Sequence, residues 1–267
     1  PGFPIIDHNT YVFLGDGCLM EGISHEVCSI AGVWGLEKLI CFYDDNNISI
    51  DGEVGPWFNE NVASRFKSYG WNVLGPIDGH DVFAIKNAID GALSDKEKSS
   101  DDGPTIIICK TIIGKGEPER EGTSKAHGEP LGTDGIQRMR QELNWEFLPF
   151  EVPEDLKREW DCRDYGHALE GGWQNLLENY KRSYPTLADS LETRLGKNVI
   201  NPEELNNVVM DFCLSFAKNP LSLATRKASQ NFLNKLGPRF NGLLGGSADL
   251  SGSNLTMWDG SVPVRKS

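Results

Sequence analysis

Two apolar runs that end in polar residues constrain the fold of this chain more than any other feature. The run at residues 11–14 leads directly into Gly15-Asp16-Gly17, and the run at residues 39–43 leads into two aspartates and two asparagines. A helical stretch separates the runs, so we expect two strands of one βαβ unit. The carboxyl ends of such strands meet at one edge of a parallel sheet, which is where ligands bind in open α/β folds.

The polar residues at this predicted edge suit a metal and a diphosphate. Asp16 and Asn46 offer a carboxylate and a carboxamide oxygen, and hard oxygen ligands of this kind suit Mg²⁺. Gly15 and Gly17 lack a Cβ atom, so the backbone can approach phosphate oxygens while the following helix offers its amino-terminal N–H groups. Gly-Asp-Gly alone is a common turn. Its combination with strand, helix, strand and Asn46 favours the functional interpretation.

The bulk composition narrows the class of protein. The chain has 267 residues, of which 39% are hydrophobic, and seven tryptophans, which is enough for a real core. A formal net charge of −13 argues against a nucleic-acid partner or an anionic membrane surface. We find neither a signal peptide nor an apolar run of membrane-spanning length, so we expect a cytoplasmic protein that does not enter membranes.

The six cysteines contain no CxxC pair, so zinc binding has little support. Apolar or helical surroundings predict buried, reduced thiols in a reducing compartment for four of them. These are Cys18, Cys28, Cys41 and Cys109.

Strand and helix signals alternate through the first half of the chain. Strands are expected at residues 11–14, 39–43, 71–74 and 105–109, and helices near 21–34, 59–69 and 81–93. This alternation predicts an α/β fold with a doubly wound, mostly parallel sheet. In the first helix one stripe at helical spacing holds Ile23, Val27, Ile30, Ala31 and Trp34. In the third helix the residues expected to face inward are Ile85, Ala88, Ile89 and Ala92.

The second half of the chain is less regular. An irregular segment at residues 114–132 is long enough to be functional, whereas the acidic runs at 95–102 and 117–121 are expected to be solvated faces. We predict helical packing after residue 145, a helix at 221–237 and a short strand at 242–244. The predicted domains are residues 1–200, a helical linker at 201–220, and the start of a second α/β domain at 221–267.

Eight segments, in the right order along nearly the whole chain, resemble the transketolase family of thiamine-diphosphate enzymes. Gly-Asp-Gly with a following Asn is typical of the wider thiamine-diphosphate superfamily, and the SKAHG, TRKASQ and GGSADL segments select transketolase. The segments are GDGCLMEGISHE (15–26), DDNNISIDG (44–52), IDGHD (77–81), CKTIIG (109–114), SKAHG (124–128), TRKASQ (225–230), GGSADL (245–250) and SNLT (253–256).

The resemblance implies a thiamine diphosphate held through a divalent ion. It gives Asp16 and Asn46 as side-chain ligands of that ion, and Ile48 as a ligand through its backbone carbonyl. Gly17 is implied to contact the diphosphate through its backbone. Mg²⁺ is the expected ion, although Ca²⁺ offers similar ligand preferences. Asn47 replaces a glycine that is frequent at this spot, a mild change because Asn tolerates positive φ.

The same resemblance assigns roles around the reacting groups. His127 is implied to lie beside the thiazolium and the substrate hydroxyl, as cofactor-binding, substrate-binding and catalytic residue. Arg226 and Ser253 are implied to bind the sugar phosphate, for which a guanidinium fork is well suited. Asp249 matches a residue near the cofactor at the subunit boundary, the alternative being a helix cap. Glu21 matches a glutamate that meets its symmetry mate across a dimer. His25 and His80 are expected to be structural.

The implied activity is reversible transfer of a two-carbon ketol group from a ketose phosphate, such as xylulose 5-phosphate, to an aldose phosphate, such as ribose 5-phosphate. This reaction belongs to the pentose phosphate pathway, and the family works as a homodimer. By the family pattern the chain begins inside the first domain and ends inside the second, so we expect it to be inactive alone. A related enzyme such as dihydroxyacetone synthase or a decarboxylating dehydrogenase component, and a silent dimerising module, remain alternatives.

Overall fold

The chain forms two compact units. The computed structural model describes residues 2–94, 103–196, 201–240 and 242–265. One unit, called here the sheet unit, comprises Ile6–Asp161 and Val264–Ser267; the other, the helical unit, comprises Pro1–Ile5 and Cys162–Pro263. The domain boundaries expected from the sequence stay a prediction, because a division by compactness does not define domains.

The sheet unit is built on four parallel strands. They lie in the order β1-β2-β6-β5. Their bounds are β1 Thr10–Gly15, β2 Leu39–Asp45, β5 Asn72–Asp78 and β6 Thr105–Lys110. A separate antiparallel pair consists of β3 Ile48–Ser49 and β4 Gly52–Glu53. The non-consecutive order and the parallel pairing confirm the α/β fold expected from the sequence.

The sheet is covered by helices on both faces. On one face the core cluster joins Leu19, Phe66 and Trp71 to the strands, and on the other Ala92 packs near Ile107. Strand β6 is buried along its apolar length because β-branched residues fill both of its faces. The helices of this unit are α1 Asp16–Met20, α2 Gly22–Trp34, α3 Val62–Ser68, α4 Val82–Ser94, α5 Lys125–Gly128, α6 Gly132–Glu142 and α7 Glu154–Trp160.

Strand β5 is longer than the sequence predicts. Its pairing with β6 shifts register between Leu74 and Ile77, and it continues to Asp78. Pro76 has no N–H to donate to the ladder, so the strand passes it through an irregularity. Helix α3 begins later than predicted, where the side chain of Asn61 accepts a hydrogen bond from the Ser64 N–H at 2.8 Å.

The first predicted helix, near residues 21–34, is confirmed as α2, and a short helix that was not predicted, α1, precedes it. Glu21 has extended backbone angles and separates α1 from α2. Of the predicted stripe, Ala31 is buried, but Ile23 and Val27 are 64% and 49% exposed. Helix α2 instead packs through small residues, and a Cβ atom on Gly32 would lie 1.8 Å from the Tyr69 carbonyl oxygen. Close approach through small residues therefore leaves an apolar face of α2 uncovered among the described residues.

Helix α4 agrees better with its sequence pattern. Ala92 is buried in the core, and Ala88 and Ile89 pack against the same cluster. The acidic run at residues 95–102 lies outside the described residues.

Two of the four cysteines predicted to be buried are fully buried. All six are free thiols. Cys41 and Cys109 are buried and Cys28 is half-buried, but Cys18 is exposed, which corrects the expectation that it is buried. Burial raises the pKa of Cys41 to about 12, so this thiol stays protonated at neutral pH.

The helical unit contains five helices among its described residues. They are α8 Arg163–Ser183, α9 Pro185–Leu195, α10 Pro202–Lys218, α11 Thr225–Leu236 and α12 Ser251–Asn254. The ring of Phe212 on α10 lies 5.1 Å from that of Phe232 on α11. The predicted helix at 221–237 is confirmed in its main part. None of the described helices is long and apolar enough to cross a membrane.

The predicted strand at residues 242–244 is wrong. These residues are irregular, and Leu244 is 75% exposed. A strand needs a neighbour to complete its hydrogen bonds, and the described part of the helical unit contains no other strand that could pair with it.

Candidate functional site

The register of the sheet brings the two polar strand ends together. Gly15 at the end of β1 pairs with Asp44 on β2, so Asp16 and Asn46 both follow the same edge of the sheet. Helix α1, which begins at Asp16, packs against β2 and β3. This is the edge at which parallel sheets bind ligands.

Asp16 is a buried carboxylate with one oxygen that lacks a partner. Asp16 is 4% exposed. The Tyr43 hydroxyl donates a hydrogen bond to its Oδ1 atom. Its Oδ2 atom is buried and has no hydrogen-bond partner among the described residues. Burial raises the pKa of Asp16, and the neighbouring charges of Asp45 and Asp44 add to the rise, against a lowering by the Tyr43 hydrogen bond and by the backbone of Asn47.

A buried oxygen in this state is unfavourable unless something binds it. A divalent cation at Oδ2 would neutralise the carboxylate and complete its coordination. The buried Oδ2 of Asp16 is therefore the observation that makes this edge of the sheet suitable for a metal ion.

Asn46 and Ile48 are held in a tight turn beside Asp16. The Ile48 N–H donates to Asn46 Oδ1 at 2.9 Å, and Asn46 Nδ2 donates to Asp44 Oδ2 at 3.1 Å. Asn47 has φ 61°, the positive value that its position was expected to require. The carboxamide oxygen of Asn46 keeps a second lone pair for a ligand. The Ile48 side chain is buried, which leaves only its carbonyl to serve the site.

The protein supplies few ligands of its own here. The described residues contain no group of three or more His, Cys, Asp or Glu side chains that could hold a metal ion. A set of one carboxylate, one carboxamide and one backbone carbonyl leaves coordination positions for oxygens from outside the protein. Mg²⁺ sites that also hold phosphates are built in this way.

Gly17 offers open space next to this set. Apart from its two chain neighbours and the backbone of its own helix, no described residue has an atom within 4 Å of the position that a Cβ atom on Gly17 would take. The packing of the described chain therefore gives no reason for glycine at this position, whereas a group approaching its backbone from outside would.

Arg65 fixes the junction that carries Glu21. One guanidinium nitrogen donates to the Leu19 carbonyl at 3.1 Å and the other to the Ser24 hydroxyl at 3.0 Å. These contacts join the end of α1 to the start of α2, with the exposed Glu21 between them. His25 has the structural role expected for it, because its Nδ1 atom lies 2.6 Å from the Tyr69 hydroxyl oxygen, within hydrogen-bond distance.

His127 lies on α5 and is exposed. Its backbone N–H donates to the Ser124 carbonyl at 3.0 Å. Among the described residues no hydrogen bond links its imidazole to Asp16, so the structure does not join these two predicted site residues by a hydrogen bond. His80 has the structural role expected for it, because its Nε2 accepts the Ile112 N–H at 2.8 Å after β6.

Arg226, Asp249 and Ser253 lie in the helical unit and are exposed. Arg226 occupies the first turn of α11, and Ser253 lies in α12. Asp249 has φ 54° and is not a helix cap, because Leu250 holds the N-cap position of α12. The helix-cap alternative for Asp249 is therefore wrong.

Sequence reasoning missed Tyr43 and Arg65 as residues of this site. A tyrosine within a buried strand needs a partner for its hydroxyl, and that signal was available at Tyr43. Its partner Asp16 lies 27 residues away, however, and becomes a neighbour only through the pairing of β1 with β2. Arg65 gave no local signal.

Comparison with known proteins defines the class. Residues 1–199 match the protein family described as "Transketolase, thiamine diphosphate binding domain". The sheet edge with its glycine, carboxylate and carboxamide thus lies in a thiamine diphosphate-binding domain. More narrowly, the chain belongs to the transketolase family.

Curated relatives and solved structures agree with this assignment. The chain is 48% identical over 266 residues to transketolase 2 of Escherichia coli strain K12, covering 100% of this chain and 39% of that protein. It is similar in structure to a transketolase from Pichia stipitis in complex with sedoheptulose 7-phosphate, with a TM-score of 0.82, 38% identity, and coverage of 97% and 37%. For transketolase from Leishmania mexicana the TM-score is 0.81 at 34% identity, with coverage of 96% and 37%. The chain thus spans less than half the length of these relatives.

The raised pKa of Asp16 predicts a stability gain when its charge is removed from the metal-free chain. We expect Asp16→Asn to unfold at higher urea concentration than the wild type at neutral pH, because a neutral amide replaces a desolvated carboxylate. The folded wild type binds a proton at Asp16 more tightly than the unfolded chain does, so the gain should shrink as the pH falls through the raised pKa.

Urea titrations at several pH values, followed by tryptophan fluorescence, measure this difference. Asp90→Asn, a change at an exposed aspartate on α4, is the matched control and should show no such pH dependence. A difference between Asp16→Asn and wild type that grows toward acid pH would contradict the prediction.

Proposed function

We propose that the protein containing this sequence is a transketolase, which moves a two-carbon ketol group between sugar phosphates. The observation that carries the proposal is the Oδ2 atom of buried Asp16, which has no hydrogen-bond partner among the described residues and lies in a thiamine diphosphate-binding domain. A carboxylate in that state is suited to a cation. Asn46 and Ile48 follow the neighbouring strand at the same edge.

The ion site would be formed by three groups of this chain. Asp16 and Asn46 would supply side-chain oxygens and Ile48 its backbone carbonyl, with Mg²⁺ the expected ion and Ca²⁺ an alternative. Tyr43 occupies Oδ1 of Asp16, so that Oδ2 is the oxygen left to bind. Gly17 would receive the diphosphate against its backbone, where the described chain leaves open space.

The remaining residues would bind and protonate the sugar. Thiamine diphosphate, when bound, supplies the electron sink for carbon–carbon cleavage. His127 would hold a hydroxyl of the ketose and move its proton, a role open to an exposed imidazole. Arg226 and Ser253 would bind the sugar phosphate, Arg226 through its planar fork. Asp249 would lie near the cofactor.

A homodimer is part of the proposal. Glu21, which the family resemblance places opposite its symmetry mate, lies at the start of α2, whose apolar residues Ile23, Val27 and Ile30 are all more than 40% exposed. A second copy of the same helix would cover such a face, as the self-complementary interface of a twofold dimer requires. Glu21 would then lie in the interface beside the cofactor.

Two alternatives differ in what they need from the site. A silent dimerising module would have no chemical need for an unpartnered carboxylate at Asp16. A related thiamine-diphosphate enzyme, such as dihydroxyacetone synthase, would keep the ion site, but the segments around His127 and Arg226 favour transketolase.

A cytoplasmic location remains part of the proposal, supported by six free thiols.

The first test is titration of the 267-residue chain with thiamine diphosphate in the presence of Mg²⁺. Binding is expected for the wild type and for the control Asp90→Asn, and we expect it to weaken by at least roughly tenfold in Asp16→Asn. Calorimetry measures the affinity. If the chain alone does not bind, the same variants are compared in the complete protein that contains it. Equal affinity of Asp16→Asn and wild type there would refute the ion site.

The second test separates His127 from Arg226 in the protein that contains this sequence. His127→Ala is expected to lower kcat/KM for xylulose 5-phosphate by about 10²–10⁴-fold, because proton transfer is lost, while thiamine diphosphate affinity stays close to that of the wild type. Arg226→Ala should instead raise KM for phosphorylated donors and have little effect on unphosphorylated ones. A coupled ketol-transfer assay measures both. Ketol transfer that tolerates both changes would contradict the roles proposed for His127 and Arg226, whereas a wild-type protein without ketol transfer would favour the silent module.

The dimer is tested by a charge placed on the exposed face of α2. Val27→Glu should shift the protein containing this sequence from dimer to monomer in analytical ultracentrifugation, because a desolvated carboxylate is unfavourable in an interface. The control Val82→Glu, on the first turn of α4 where the side chain is 74% exposed, should leave the dimer intact. A Val27→Glu protein that sediments as a dimer contradicts the α2 interface.

A further inference from the structure

A fully buried carboxylate lies in the loop that carries His127. Glu117, in the loop between β6 and α6, is 0% exposed, although its acidic surroundings predict a solvated face. The expectation that this run is solvated is therefore wrong at Glu117. Its Oε1 accepts a hydrogen bond from Arg138 Nε on α6 at 2.6 Å, and its Oε2 accepts the Glu119 N–H at 3.1 Å.

Burial of a carboxylate requires such partners. Removing a charged oxygen from water is unfavourable unless an opposite charge and hydrogen bonds replace the water. Arg138 also reaches Glu119, with Nη2 at 2.9 Å from its Oε2. One guanidinium fork therefore holds two points of the loop against α6, as the planar shape of arginine allows.

Further contacts close the loop on itself around α5. Arg120 donates to the Pro130 carbonyl at 3.0 Å, and the Gly122 N–H donates to the Ile113 carbonyl at 2.8 Å. Gly114 has φ 67°, and a Cβ atom there would lie 2.6 Å from the Cβ atom of Ala126, the residue before His127. The base of the loop thus packs directly against the short helix that bears the imidazole.

The ring of His127 depends on this loop for its position. It is exposed, and no hydrogen bond from the described residues reaches its imidazole. Helix α5 has only four residues, too few to be stable alone. The location of the ring is therefore set by the backbone of the loop, and the loop is fixed by its buried ion pair.

We propose that the Glu117–Arg138 ion pair is a positioning device, which holds α5 so that His127 meets the ketose hydroxyl. This inference rests on the substrate role proposed for His127. Neither Glu117 nor Arg138 touches the substrate in this proposal; both act through the loop. Displacement of a reacting group by about 1 Å can lower a rate by about 10²-fold, so loss of the pair should be visible in catalysis.

The test uses Arg138→Met in the protein that contains this sequence, with Arg158→Met on the exposed surface of α7 as control. Hydrogen–deuterium exchange is measured for peptides that cover residues 112–131 and, for comparison, strand β2. We expect Arg138→Met to speed exchange in the loop by at least about tenfold and to leave β2 unchanged, because the loop would open locally. Equal exchange in the loop of wild type and variant would overturn the proposal.

Steady-state kinetics test whether the loop, held by the ion pair, positions His127 for catalysis. We expect Arg138→Met to lower kcat/KM for xylulose 5-phosphate by at least roughly tenfold, with thiamine diphosphate affinity within about twofold of the wild type. Arg138→Lys should recover part of the loss, since it restores the charge. In a His127→Ala background, Arg138→Met should have almost no further effect, because the two changes remove one function. A full additional loss in that background would assign the pair a purely structural role.

Two further outcomes keep the test decisive. Glu117→Gln is nearly isosteric and serves if Arg138→Met does not fold; it should show the same loop exchange and the same non-additivity with His127→Ala. A wild-type enzyme with no ketol transfer would overturn the proposed function and with it the purpose assigned to the pair. The exchange data would then still show whether the pair holds the loop, so the two failures remain distinct.

Discussion

The parallel pairing of β1 with β2 is the constraint on which the candidate site depends. Gly15 lies opposite Asp44, and this register sets Asp16 beside the end of β2. Tyr43 and Phe42 alternate between the two faces of the sheet, and only Tyr43 lies on the face covered by α1 and α3. A slip of one residue would exchange these faces, and the tyrosine hydroxyl would no longer reach Asp16.

Two buried carboxylates among the described residues of the sheet unit illustrate opposite solutions to one electrostatic problem. Glu117 has a guanidinium and a backbone N–H, so both of its oxygens are bonded within the chain. Asp16 has a hydroxyl for one oxygen and no partner among the described residues for the other. The hydrogen bonds of Glu117 are satisfied within the chain and stabilise the loop. Those of Asp16 would be satisfied only when a ligand binds Oδ2. Satisfaction of hydrogen bonds, more than burial itself, separates the structural carboxylate from the one proposed to bind an ion.

Much of the sheet and the position of the site edge could be predicted from the sequence because they depend on local signals. The β-branched run of β6, the alternation of strands and helices, and the polar residues after β1 and β2 each lie within a short window. Gly15 and Gly17, which lack a Cβ atom, indicated the same edge of the sheet. These features need no knowledge of distant partners.

The remaining features depend on partners far along the chain. Glu117 was expected in solvent because its neighbours in the sequence are acidic. Its partner Arg138 lies 21 residues away, so the sequence around Glu117 does not indicate the ion pair. The stripe on α2 has helical spacing, but spacing alone does not say which face packs. Of the stripe Ala31 is buried, and Ser24, which lies outside the stripe, is buried with it. Residues 242–244 have strand-like composition without a neighbouring strand in the described part of their unit. Pairing, packing and burial are properties of the folded chain as a whole.

The ion pair between the loop and α6 also limits how this chain can be engineered. Residues 111–131 look like a surface loop that could be exchanged for the loop of a relative. Because Glu117 is enclosed and its countercharge lies on the following helix, a graft that ends before Arg138 would place an unmatched guanidinium or an unmatched carboxylate at the seam. The transferable unit is therefore the loop together with α6, and chimaeras should be cut after Glu142, where that helix ends.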